Sequence, residues 1–122
     1  MLLNEQYSSV FNGLVAEVER LTEEITALGV QIEADRAEYN NSVATLDADI
    51  NSFNRRADLG TFSSLTQFNA ERTTLVDRSA ALEAFSARLG DDIDRYNTLL
   101  KQYNAVAGQL ESLNRSIDSI QG

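Results

Sequence analysis

"ADLGTFSSLTQF", residues 57–68, is where the helix signals of this sequence stop and restart. Gly60 suits a helix C-terminal stop, because glycine takes the left-handed backbone without a side-chain clash. Ser64, with Gln67 three residues on, matches a capping box that opens the next helix. The chain is expected to turn near Gly60 and Thr61.

Steps of seven outward from that turn meet Phe53, Leu46, Tyr39, Ile32, Ile25, Val18 and Phe11 on one side. On the other they meet Phe68, Leu75, Leu82, Leu89, Tyr96, Tyr103, Leu110 and Ile117. An apolar period of seven sustained this long marks coiled-coil helices and leaves no strand reading. Paired in order from the turn, Phe53 with Phe68 through to Phe11 with Leu110, the residue numbers always total 121. Two antiparallel helices would put each pair at one level, so these fifteen residues are the expected seam. The predicted fold is all-α: a long antiparallel two-helix coiled-coil hairpin forming a single domain over residues 1–122. Helix one is expected at about 3–58, the turn at about 59–63 and helix two at about 64–120. At ~1.5 Å per residue each arm would be about 80 Å long, a rod with little interior for a water-excluded active site.

The companions of the line are less regular. Leu14, Leu21 and Leu28 lie three residues after line members in helix one, whereas Val43, Ile50 and Ala57 lie four after. Between them Asp35 and Ser42 occupy companion sites, mirrored by Ser86 and Ser79 in helix two, which suggests a stutter and a polar, register-setting middle layer. Gly13 and Gly108 are also mirrored about the turn. Phe11, Tyr39, Phe53, Phe68, Tyr96 and Tyr103 are each followed by Asn, expected at the seam's edge with its amide available to a facing polar group or water.

Near the termini helix two carries a second apolar line, Leu99, Val106, Leu113 and Ile120, with Leu100 beside it. That stripe is wider than one antiparallel partner covers. Leu99, Leu100, Val106, Leu113 and Ile120 are therefore the candidate dimer face, on which two hairpins would join into a four-helix bundle. Arg55, Arg56 and Phe62, beside the turn, are a candidate tip contact for a protein partner. Arg55 and Arg56 also oppose the negative end of the helix-one dipole.

Composition narrows the chemistry. The chain has no His, Cys, Pro or Trp, and 19 acidic against 10 basic residues give a net charge of -9. Without Pro, long helices run uninterrupted. Without His and Cys there is no Ser/His/Asp or Cys/His system and no common zinc site, so no catalytic residue, metal or cofactor is expected. Asp91, Asp92 and Asp94 form the best acidic cluster, yet on a helix they point around a solvated face, as do Glu23 and Glu24. The negative charge opposes nucleic-acid binding. No apolar run approaches the ~18 residues of a bilayer span, and "MLLNEQ" is too short for a signal peptide, so an export or anchoring segment would lie outside this chain.

The repeated "YNTLL" and "YNAV" units and "FNRRADLGTFSSLTQFNAERTTLVDRSAALE" (53–83) resemble the coiled-coil region of bacterial exported or envelope-anchored proteins with YNxLV-type heptad repeats, over about residues 39–120. In that family such helices stand between a membrane anchor and a variable C-terminal part, sometimes metalloprotease-like. This chain has neither the anchor nor an HExxH motif, so no activity is implied. What the resemblance implies is a structural or oligomerisation module, a rigid spacer or assembly segment at the bacterial envelope. The alternative is an adaptor that recognises another protein through the tip or the apolar flank. The compartment is otherwise open.

Overall fold

The computed structural model describes the backbone of residues 2–121 and the side chains of residues 5–116. Two helices account for it: α1, Leu2–Leu59, and α2, Leu65–Gln121. Each begins or ends within one residue of the boundary expected from the sequence.

The turn works as its residues dictate. Gly60 has φ of 65°, and its N–H donates to the Ala57 carbonyl at 3.2 Å while the Thr61 N–H donates to the Arg56 carbonyl at 3.0 Å. These two bonds make a Schellman stop, which satisfies carbonyls that a helix end otherwise leaves open. At the start of α2 the Ser64 Oγ accepts from the Gln67 N–H at 3.1 Å, and the Phe68 N–H closes the first helical bond to the Ser64 carbonyl. The reciprocal half of the capping box differs from the expected pattern. Gln67 Oε1 accepts from the backbone N–H and hydroxyl of Ser63, one residue before the cap.

Packing divides the chain into two compact units: residues 32–91, here the turn unit, and residues 1–31 with 92–122, the terminal unit. In the turn unit Phe53 faces Phe68, Tyr39 stacks on Phe85 at 5.9 Å, and ion pairs join Asp49 to Arg78 at 2.7 Å and Arg56 to Glu71 at 3.0 Å. In the terminal unit the Tyr7 hydroxyl donates to Asn114 at 3.3 Å, and a Cβ built on Gly29 would lie 3.4 Å from the Tyr96 ring. In both units the partner's number falls as the residue's number rises, so the helices are antiparallel.

These contact pairs total from 121 to 127, never less than the mirror value of the sequence. The excess has a geometric cause. Every helical side chain leans toward its own N-terminus, so in an antiparallel pair the two lean past each other, and long side chains meet residues numbered higher than their backbone levels. The two Arg ion pairs show the largest excess, whereas Phe53–Phe68 and Tyr7–Asn114 show none.

The expected polar middle layer takes a different form. Asp35 and Ser42 are half-buried, but Ser79 and Ser86 are exposed. The apolar face of α2 here runs through Leu82, Phe85 and Leu89, a 3-4 spacing that turns both serines outward.

Candidate functional site

At the tip, α1 supplies Phe53 and Arg56 one turn apart, the turn supplies Phe62, and α2 supplies Phe68 and Glu71. The three rings lie 5.1 to 5.2 Å apart, with Phe62 edge-on to Phe68. Such edge and offset contacts are the favoured aromatic geometry. The Arg56 guanidinium sits 4.7 Å over the Phe62 ring while its Nη2 donates to Glu71. Arg56 Nε and Glu71 Oε2 are shielded from solvent without a hydrogen bond. Of the candidate tip residues, Arg56 and Phe62 thus contact each other within the chain while both stay half-exposed, and Arg55 is exposed. What the tip presents outward is Leu59, 70% exposed, and Leu65, 74% exposed, neither of which the sequence singled out.

Along the heptad lines, Ile32, Leu46 and Phe53 are buried. Phe11, Val18, Ile25, Tyr39, Phe68, Leu75, Leu82, Leu89, Tyr96, Tyr103 and Leu110 are half-buried, and Ile117 lies outside the described side chains. The Asn after each of the six line aromatics is exposed. One residue onward is ~100° around a helix, which carries the amide off the seam and into solvent.

On the candidate dimer face, Leu99 is only 7% exposed within a single chain, and Leu21 of α1 is fully buried. Leu99 is therefore corrected to the interior of the terminal unit. Leu100, Val106 and Leu113 are half-buried and Ile120 lies outside the described side chains. Leu113 lines an open groove of about 670 Å³ with Val10, Leu14, Ala105, Gly108 and Ser112.

Electrostatics elsewhere is superficial. Arg20 pairs with Glu17 and Glu24 on the α1 surface, and its hydrogen bond holds the Glu17 carboxyl below the usual glutamate range while raising its own pKa. Asp91 and Asp94 are exposed and Asp92 half-buried; among the described residues no three metal-ligating side chains converge. Nor, among those residues, is any helix long and apolar enough to cross a membrane. Compared with protein-family models, curated proteins and solved structures, the chain matches none.

Proposed function

We propose that this chain is a structural and oligomerisation module, a two-helix coiled-coil spacer whose terminal unit joins that of a second copy in a four-helix bundle. The observation that carries the reading is surface. The chain exposes 8732 Å², whereas a folded monomer of its mass is expected to expose about 6,500 Å². The excess, roughly 2,200 Å², is well above the ~800 Å² that each partner contributes to a standard interface. Six buried apolar residues are a thin core for 122 residues, and burial in a partner would add to it. Two helices of 58 and 57 residues suit a spacer, and the absence of His and Cys favours a non-catalytic role. An envelope setting rests on the sequence resemblance of residues 39–120. If the folded state is a dimer, its thermal midpoint rises with chain concentration by mass action; a midpoint constant over a hundredfold range of concentration would refute the reading.

Exposed Leu59 and Leu65 beside exposed Arg55 favour a second reading, a protein-binding adaptor that uses the tip. Replacing both leucines by Ser would then abolish capture of one specific partner from a bacterial envelope extract while leaving self-association intact. An unchanged capture profile removes the adaptor reading.

A further inference from the structure

We infer that the groove formed by Val10 and Leu14 of α1 and Ala105, Gly108, Ser112 and Leu113 of α2 receives a helix of a second copy of this chain, with Gly108 at the point of closest approach. The inference rests on the self-association reading; it keeps Leu113 of the Leu99 line and moves the rest of the contact to this flank.

Gly108, like Gly13 and Gly90, has no explanation inside the chain, and of these three it is the one that lines the groove. Glycine in a helix interior is unfavourable relative to Ala, so its presence there calls for a compensating use. At Gly60 that use is the positive φ, and at Gly29 it is the Tyr96 ring 3.4 Å from where a Cβ would stand. At Gly108 φ is not positive, and an added Cβ would meet nothing within 4 Å. The missing side chain therefore opens space on the outer side of α2, where it lets another helix come nearer than the ~8–10 Å of ordinary helix pairs. Gly13, its mirror on α1, is open in the same way.

The groove also fits this partner in polarity and charge. Its apolar floor is Leu14 and Leu113, and Val10 stands 52% exposed at the rim. None of the residues lining it is charged, in a chain of net charge -9. A second copy, equally acidic, can seat there without bringing like charges together, a juxtaposition that otherwise disfavours association. The surplus exposed area is a property of the whole chain and exceeds what one standard interface needs.

Sedimentation equilibrium on the whole chain tests this with two leucines. Gly108→Leu fills the groove and is expected to raise the dimer dissociation constant by roughly 10- to 100-fold, the usual effect of overpacking a contact. Gly90→Leu is the control, since a Cβ at Gly90 also meets nothing within 4 Å but lies in the turn unit; it is expected to leave the constant unchanged. A Cβ at either site meets nothing within 4 Å in the chain, and helicity by circular dichroism checks that both variants fold. Wild-type-like association of Gly108→Leu overturns the groove and leaves self-association standing. Equal weakening by both variants also overturns it, since contact then extends over the turn unit. A monomeric wild type overturns groove and self-association together.

Discussion

The terminal unit and the turn unit use the same two helices and the same heptad line, yet most of the positions three after that line differ in chemistry. In the terminal unit most are hydrocarbon, and Leu21, Leu28 and Leu99 are among the best buried residues of the chain. In the turn unit four of the positions three after the line hold Asp49, Arg56, Glu71 and Arg78, which close as two interhelical ion pairs, the others being Asp35, Ser42 and Phe85, and the heptad line itself supplies the buried Ile32, Leu46 and Phe53. The difference teaches that a charged companion line can be completed inside one chain and fixes which residues face each other. An apolar companion line buries more surface but spreads onto a flank that its own partner helix leaves open.

Core truncation should break both units, with the largest effects expected of any change. Phe53→Ala removes the ring shared by two contacts at the tip and should cost ~3–5 kcal/mol in urea unfolding. Leu21→Ala, at a fully buried site, should cost ~2–5 kcal/mol. The comparison sharpens if only Leu21→Ala also weakens association. A loss below ~1 kcal/mol at Phe53 would mean that the three rings are not a core.

Smaller effects belong to the tip's charges and its turn. Arg56→Ala gives up the contact with Phe62 and the pair with Glu71, each worth up to ~1 kcal/mol at a half-exposed site. Arg55→Ala should cost less, no more than the ~0.3–1 kcal/mol of an exposed charge opposing the helix-one dipole. Equal losses from the two arginines would contradict the intramolecular role of Arg56. Gly60→Ala should destabilise by ~1–2 kcal/mol because its φ is 65°, whereas Gly108→Ala should stabilise the isolated helix by ~1 kcal/mol. The same substitution thus has opposite signs at the two glycines, and thermal melts at low concentration read both.

The smallest effect is expected at Glu17. Its carboxyl accepts from Arg20 and titrates below an ordinary glutamate, so any stabilisation would be present above that range and lost on acidification. Both side chains stand in solvent, where such pairs contribute little. Carbon-detected titration should show the lowered pKa while Glu17→Gln leaves the thermal midpoint unmoved. A clear drop in the midpoint would show that this surface pair matters more than its exposure implies.

Much of this was legible in the residues. Gly60 and Ser64 mark the stop and the cap because each has one local job, and the seven-residue lines gave the antiparallel pairing because apolar period survives any side-chain detail. Phe85 was not legible. It lies off the heptad line, and its stacking on Tyr39 depends on the lean of side chains past their backbone levels. For the same reason Arg56 and Phe62 read as outward from sequence although they close on each other. The role of Leu99 required knowing which of two apolar lines the partner helix covers, a choice made by rotation of the helix rather than by composition.

Hydrogen exchange of the backbone amides, followed as chain concentration is raised, tests most directly whether a second copy completes the terminal unit and not the turn unit. Binding that favours one folded region deepens protection there by mass action. Amides of residues 1–31 and 92–122 should exchange more slowly as concentration rises, while those of 32–91 keep their rates. Rates independent of concentration in both units, or slowed equally in both, would contradict the account.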